Sequence, residues 1–217
     1  EGSHPVNNAL SKYATVDPAT GVVVKQFDTM TDAEVEASLE RAHRGYLTWR
    51  RTDLAERAAL LRRIADSYRE RSDELALLMA SEMGKPVAQA KGEIALSASI
   101  YEYYAAIGPE FLEEERLKIA GQGSAVVRTD PIGALVGIMP WNYPHYQVAR
   151  FVAPNLLLGN TILLKHASNC PQQALVIADI VADTASQDGV TVDTGDDERN
   201  NLVGHNLRAY IEDLENR

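Results

Sequence analysis

The sequence predicts an α/β fold, in which a helical N-terminal segment precedes part of a parallel β-sheet. Three observations predict it. Apolar residues recur at helical spacing over most of residues 31–107. Two near-continuous apolar runs, 134–139 and 161–164, have the length and composition of strands that are buried on both faces. A helical segment separates these runs and another follows them, which is the element order of a right-handed βαβ unit.

Composition excludes several classes of protein. The chain has 217 residues, of which 45% are apolar and 24% are charged, as expected for one globular domain or slightly more. Its net charge of -10 argues against a nucleic-acid binder and against a partner of anionic membranes. The single cysteine, Cys170, excludes a disulfide framework, and the histidines lack metal-ligand spacing. No secretory signal or membrane span is visible, so we expect a cytoplasmic setting.

The first elements along the chain are short and extended. Turn residues between two β-branched runs in residues 13–27 predict a hairpin or two edge strands. An ordered arm lying over a neighbouring surface is an equal alternative. Thr31 and Glu34 then have capping-box spacing and predict the start of a helix.

Three further helices complete the N-terminal segment. One begins near Asp53, and the next begins at a cap formed by Ser72 and Asp73. Gly84, two residues before a proline, predicts the end of that helix. The last one spans residues 87–107.

The pattern then changes to strands. Glycines between two apolar runs predict a β-hairpin at about residues 115–129. The βαβ unit follows, with its first helix over 146–158 and its second helix beginning at Pro171. The tail, residues 181–217, carries nine acids and three bases. We expect its polar part, 191–201, to be mobile and residues 202–214 to form a last helix.

Function is expected in two loops, because parallel sheets bind ligands beyond the carboxyl ends of their strands. The first loop contains Asn142, whose amide could donate a hydrogen bond to an oxyanion or could simply hold a turn. The second begins with Lys165, whose ammonium could meet a ribose hydroxyl or a phosphate, or could extend into solvent. Cys170, at a helix N-terminus, is either a reactive thiol or a packed apolar group.

An ordered set of motifs within residues 13–180 makes the chain resemble the N-terminal part of an aldehyde dehydrogenase, and most of all a succinate-semialdehyde dehydrogenase. The motifs are Asp17-Pro18-Ala19-Thr20-Gly21, Trp49, Arg57, Glu82-Met83-Gly84-Lys85-Pro86, Pro131-Ile132-Gly133, Pro140-Trp141-Asn142-Tyr143-Pro144, Gly159-Asn160-Thr161 and Leu164-Lys165-His166. The resemblance implies that residues 1–180 are part of a Rossmann-like NAD(P)-binding domain. It leaves 181–217 as an unmatched acidic tail.

The resemblance also implies a reaction and partners. Family members oxidise aldehydes with NAD or NADP, so a small aldehyde and NAD(P) are the expected partners, with no nucleic acid, membrane or metal. The hairpin at 115–129 matches the arm that joins family subunits, which implies a homo-oligomer.

Site residues follow from the same motifs. Asn142 matches the asparagine that helps to hold the oxyanion, and Lys165 matches the lysine that contacts the adenosine ribose. Met139, Pro140 and Trp141 match backbone that lines the cofactor cleft.

Ser168 stands where many NAD-preferring members have a glutamate. A carboxylate there would repel the 2′-phosphate of NADP and a serine would not, so we expect NADP to be tolerated.

The nucleophilic cysteine and the general-base glutamate of the family have no counterpart in the chain, and Cys170 does not match that nucleophile. We therefore expect a truncated dehydrogenase without its catalytic domain. The alternative is a non-catalytic fragment that acts as a cofactor-site or oligomerisation module.

Overall fold

The computed structural model describes residues 12–186 and 203–204. In chain order its elements are β1 Tyr13–Val16, β2 Val23–Phe27, α1 Asp32–Trp49, α2 Leu54–Glu70, α3 Ser72–Met83, α4 Val87–Ile107, a 3-10 turn Gly108–Leu112, β3 Glu115–Leu117, β4 Ala125–Val127, β5 Ala134–Ile138, α5 Pro144–Leu158, β6 Thr161–Lys165, α6 Pro171–Ser186 and β7 Val203–Gly204. The predicted α/β architecture, with helices first and a parallel sheet later, is confirmed.

Both predicted hairpins are present. Strands β1 and β2 pair antiparallel, and so do β3 and β4. The hairpin alternative for residues 13–27 is therefore correct. Each hairpin forms its own two-stranded sheet, separate from the parallel sheet.

The helix boundaries follow local signals in most cases. The Thr31 side chain accepts from the Glu34 backbone N–H at 3.3 Å while the Glu34 carboxylate accepts from the Thr31 N–H at 2.6 Å, so the predicted capping box is real. Gly84 ends α3 in the left-handed conformation, with φ of 74°. Helix α4 has the predicted bounds.

The predicted cap of α3 is wrong. Ser72 is already the first helical residue, and the cap position belongs to Arg71. The Arg71 guanidinium forms a two-point contact with the Glu74 carboxylate, at 2.8 and 2.9 Å. This ion pair fixes the first turn in place of a serine cap.

The parallel sheet has β6 at its centre, between β5 and β7. Ala134 pairs with Thr161 at one end of the β5–β6 ladder, and Ile138 pairs with Lys165 at the other. Helix α5 connects the two strands and begins at Pro144, two residues earlier than predicted.

Of the two strands of the βαβ unit, β6 is buried on both faces and β5 is not, so the prediction of a doubly buried strand is wrong for β5. Leu163 packs against α1, and its neighbours in β6 face the main core. Val136 and Ile138 lie on the α1 side of the sheet, where α1 reaches only the start of β5, and they are 44% and 59% exposed. On the other face Gly137 is buried, since a Cβ there would lie 2.8 Å from the Phe151 ring.

The main core lies between the helical segment and the sheet. Helices α2, α4, α5 and α6 contribute most of it, and its largest fully buried side chains include Tyr68, Leu61, Ile64, Ile94, Tyr101, Leu156 and Leu164. A single continuous core therefore joins the N-terminal helices to the βαβ unit.

Two residues of the predicted terminal helix, Val203 and Gly204, form a strand instead. Val203–Gly204 form β7, which pairs parallel with β6, because the edge of a central strand offers backbone groups that a helix could not satisfy. The remainder of the predicted helix and the segment 191–201 lie outside the described residues.

The side chain of Asn160, the residue before β6, is hydrogen-bonded to the backbone just before β5. Its Oδ1 accepts from the backbone N–H groups of Ile132 and Gly133, at 2.8 and 3.1 Å, and its Nδ2 donates to Asn155 at 3.0 Å. The side chain is 1% exposed. Asn160 thus sets where β5 begins relative to β6.

Replacing Asn160 with alanine should lower the free energy of unfolding by about 2 kcal/mol, because buried backbone donors lose their acceptor. Urea unfolding followed by circular dichroism measures this. The matched control is Asn169→Ala at an exposed turn position, expected to change stability by less than about 0.5 kcal/mol. Equal effects of both substitutions would contradict the role of Asn160.

Candidate functional site

The two predicted loops lie side by side at the carboxyl edge of the sheet. The backbone N–H of Met139 donates to the carbonyl of Lys165 at 3.0 Å, directly beyond the last β5–β6 pair. Because the strands are parallel, the chain leaves both of them at this edge, and residues 139–143 run beside residues 165–169.

The predicted site residues differ in exposure. Trp141 is 53% exposed, and Asn142 and Pro140 are exposed with it. Met139 is half-buried and packs against the main core. In the second loop Lys165 and Ser168 are half-buried. The structure therefore brings the predicted residues to one edge, with the Asn142 end of the first loop open to solvent.

A buried carboxylate holds the start of α5. Glu93, on α4, accepts from the backbone N–H groups of His145 and Tyr146 at 2.9 and 3.1 Å. These N–H groups have no partner within their own helix, and a negative charge there also complements the helix dipole.

Glu82, at the end of α3, does the same for α6. It accepts from the N–H groups of Gln172 and Gln173 at 2.9 and 3.0 Å, and from the Thr15 hydroxyl at 2.5 Å. Burial raises the pKa of Glu82, although these hydrogen bonds oppose the shift. Both helices that follow the site loops therefore have their first N–H groups occupied by protein, and neither N-terminus offers these groups to a phosphate.

Sequence reasoning missed these two roles. Glu82 belongs to the motif at 82–86, but no local pattern predicts its contact with α6, and none predicts the contact of Glu93 with α5. The available signal is a glutamate on the apolar side of each helix, three residues after a buried methionine in α3 and three residues after a buried alanine in α4.

The C-terminus of α5 is held by donors. The Trp49 indole N–H donates to the carbonyl of Leu156 at 2.9 Å, and Arg57 Nε donates to the carbonyl of Leu157 at 2.8 Å. Desolvation lowers the pKa of Arg57, while Asp53 opposes that shift. A cation at this end again complements the helix dipole.

The histidines next to the loops are buried and neutral. His145 Nε2 donates to Gln173 Oε1 at 2.6 Å, and its Nδ1 accepts from the Tyr68 hydroxyl at 3.1 Å. Desolvation lowers the pKa of His145 to about 3. Burial likewise lowers the pKa of His166 to about 4. Neither group can act as a general base while it is held in this way.

Cys170 is not a reactive thiol. It is fully buried, and desolvation, with Glu82 and Glu93 nearby, raises its pKa to about 12. The alternative interpretation, a small packed apolar group, is correct. No group of three or more metal-ligating side chains occurs within the described ranges. No helix there is long and apolar enough to cross a membrane.

Comparison with known proteins gives the family. The model of the aldehyde dehydrogenase family matches residues 6–211. The chain belongs to the aldehyde dehydrogenase family. A succinate-semialdehyde dehydrogenase (NADP+) of Deinococcus radiodurans is 50% identical over 177 residues, which cover 82% of this chain and 37% of that protein. Succinate-semialdehyde dehydrogenase (NADP+) 1 of Mycobacterium tuberculosis is 43% identical over 178 residues, covering 81% and 39%.

Solved aldehyde dehydrogenase structures share the fold. The crystal structure of succinic semialdehyde dehydrogenase from Streptococcus pyogenes in complex with NADP+ aligns with a TM-score of 0.82 and 35% identity, covering 94% of this chain and 42% of that one. The predicted Rossmann-like α/β class and the family resemblance are thus confirmed. This dehydrogenase chain spans 37–39% of the length of the two curated relatives. The family match extends past residue 180, and the division of the chain there stays a prediction.

The neutral state of His145 predicts a pH-dependent stability. Its folded pKa, about 3, lies below its unfolded value, so the unfolded chain binds the proton first and stability is lost as pH falls below about 6.5. In His145→Gln, the loss of unfolding free energy between pH 7 and pH 5 should be about 2 kcal/mol smaller than in the original chain. Urea unfolding at both values measures it. His43→Gln, at an exposed histidine, is the control and should not alter this loss.

Proposed function

We propose that the chain forms the nucleotide-binding side of an NAD(P)-dependent aldehyde dehydrogenase site, with NADP accepted and a small aldehyde, such as succinate semialdehyde, as substrate. The observation that carries this proposal is the hydrogen bond from the backbone N–H of Met139 to the carbonyl of Lys165. Because of this bond, the loop that contains Asn142 begins beside the end of β6, where Lys165 carries its ammonium group. The names of the related enzymes, which specify NADP+, support the choice of cofactor.

The described residues fit the ribose end of such a cofactor. Lys165 ends β6 at the carboxyl edge, where its ammonium can donate to a ribose hydroxyl, and Ser168 follows it in the next turn. Ser168 adds a hydroxyl without a negative charge. The backbone of Met139, Pro140 and Trp141 borders the same edge and would line the cleft.

When bound, the cofactor would accept the hydride of the aldehyde carbon, and a water molecule would supply the second oxygen of the acid that is released. The residues of this chain would contribute binding of the cofactor and stabilisation of the negative charge that develops on the carbonyl oxygen. The Asn142 side-chain amide, in an exposed loop, can donate a hydrogen bond to the carbonyl oxygen as negative charge develops on it. Lys165 would hold the ribose and would thereby orient the cofactor.

A second candidate is a module that binds cofactor or assembles subunits without turnover. It is favoured by Cys170, since the only thiol in the chain is buried and has a raised pKa. A nucleophile for thiohemiacetal formation must then come from outside these 217 residues. Aldehyde-dependent formation of NADPH by the purified chain would exclude this second candidate.

The hairpin of β3 and β4 is proposed as the contact that makes a homo-oligomer. Leu117, Val126 and Val127 are exposed on it, and a two-stranded sheet of this size is marginally stable alone. Pairing with a second copy would cover these side chains.

A reducing cytoplasm is the proposed setting, consistent with an acidic chain whose one cysteine is an unpaired thiol.

Lys165→Met should weaken NADP binding at least tenfold, since it removes the proposed ribose donor while leaving the aliphatic stem. Isothermal titration of the purified chain with NADP measures the affinity. The control is Lys25→Met, which replaces an exposed lysine of β2, a strand that is not part of the parallel sheet. Unchanged affinity in Lys165→Met, or no binding of NADP by the original chain, would contradict the proposal.

Ser168→Glu should shift preference from NADP toward NAD by tenfold or more, because the new carboxylate repels the 2′-phosphate. The measured quantity is the ratio of the two dissociation constants. Ser168→Gln has nearly the same shape without the charge and should leave the ratio within about twofold. A shift of equal size in both variants would show that size, and not charge, determines the preference.

A further inference from the structure

We propose that Lys85 is a positioning residue for the Asn142 loop, residues 141–143, and that it sets the direction in which this loop presents the Asn142 amide. The physical claim concerns the loop itself. That the loop directs the Asn142 amide toward the oxygen of a bound aldehyde rests on the function proposed above.

The Lys85 ammonium makes three contacts around the loop. Nζ donates to the backbone carbonyl of Asn142 at 2.9 Å, forms an ion pair with Glu93, and lies 3.9 Å from the centre of the Tyr143 ring. An ammonium has three N–H donors, and a cation over an aromatic face is attracted to it. The side chains of Lys85 and Glu93 are 9% and 1% exposed, so water screens these interactions weakly.

The loop has few other ways to be held. Pro140 and Pro144 flank it, and neither can donate a backbone hydrogen bond. Trp141 and Tyr143 are about half exposed, so the loop is not packed into the core. Met139 is tied to β6 before the loop, and His145 is tied to Glu93 after it. Between these two points, the Tyr143 carbonyl accepts from the Gln147 N–H of α5 at 3.0 Å, and the Lys85–Asn142 bond ties the loop backbone to the N-terminal helical segment.

The connection from α3 to α4 explains why Lys85 reaches this position. Gly84 adopts a left-handed conformation, and a Cβ there would lie 3.2 Å from the Pro18 side chain, so the turn is specific to glycine. Pro86 then precedes α4, and Glu93 lies two turns into that helix. The turn sends the Lys85 side chain along α4 to Glu93 and the Asn142 loop.

The carboxylate of Glu93 therefore serves two partners. Its Oε1 accepts from the first N–H groups of α5, and its Oε2 pairs with Lys85. The same side chain fixes the helix after the loop and the lysine beneath the loop. Removing Lys85 alone leaves a buried carboxylate without its cation, which can destabilise the whole chain.

The experiment measures backbone motion of the full 217-residue chain by 15N relaxation, in Lys85→Met and in the double variant Lys85→Met/Glu93→Gln. The double variant removes both charges of the Lys85–Glu93 pair, and its glutamine oxygen can still accept from the α5 N–H groups. We expect the order parameters of residues 141–143 to fall from about 0.85 to below about 0.6, while those of residues 147–157 stay unchanged. The variant Lys85→Arg keeps a cation and hydrogen-bond donors at this position, so residues 141–143 should keep most of the order that they have in the original chain.

The control is Lys91→Met, which removes an exposed lysine paired with Asp73 on the same helical segment and should leave the loop unchanged. Rigid amides at 141–143 in the double variant would overturn the proposal. A loss of order through α5 as well, or a double variant that does not fold, would also overturn it by showing general stabilisation. The readout needs neither cofactor nor aldehyde, so a failed NADP titration leaves this result standing.

Discussion

Helix α5 is held at both ends by buried charged side chains, and both site loops depend on it. Glu93 accepts from its first N–H groups, while Arg57 and Trp49 donate to its last carbonyls. An acid at the N-terminus and a base at the C-terminus both match the helix dipole. Because α5 connects β5 to β6, its position determines where the first loop enters and where the second strand begins.

The cost of burying carboxylates is offset by the number of hydrogen bonds that each one accepts. Glu82 and Glu93 each receive two backbone N–H groups and one side-chain donor. The same arrangement has a functional consequence. The N-termini of α5 and α6 are already neutralised by protein, so in the function proposed above the nucleotide would be recognised by side chains such as Lys165 and by loop backbone.

Titratable groups in this region divide into two kinds. His145, His166 and Cys170 are buried, and their pKa shifts keep each of them uncharged at neutral pH. Asn142 and Lys165 lie in or next to exposed loops at the sheet edge. These uncharged groups pack beside the buried carboxylates of Glu82 and Glu93, whose oxygens are occupied by hydrogen bonds, so the interior beneath the polar loops is closely packed and its polar groups are paired. Membership of the aldehyde dehydrogenase family agrees with this arrangement.

The sequence by itself determined the elements whose signals are local. The capping box at Thr31, the stop at Gly84, the bounds of α4 and the β3–β4 hairpin depend on residues a few positions apart and are predicted from the sequence, whereas the hairpin at 13–27 is one of its alternatives. The placement of Asn142 and Lys165 at one edge also followed, because parallel strands must leave a sheet in the same direction.

Only the tertiary structure decided what depends on distant neighbours. The exposure of β5 depends on how far α1 extends across the sheet, and apolar composition alone cannot report that. The roles of Glu82 and Glu93 require partners 52 or more residues away. The strand at Val203–Gly204 likewise replaces a helical pattern because β6 offers it unpaired backbone groups. Local patterns set which element a segment favours, whereas burial and hydrogen bonding across the core set what that element contacts.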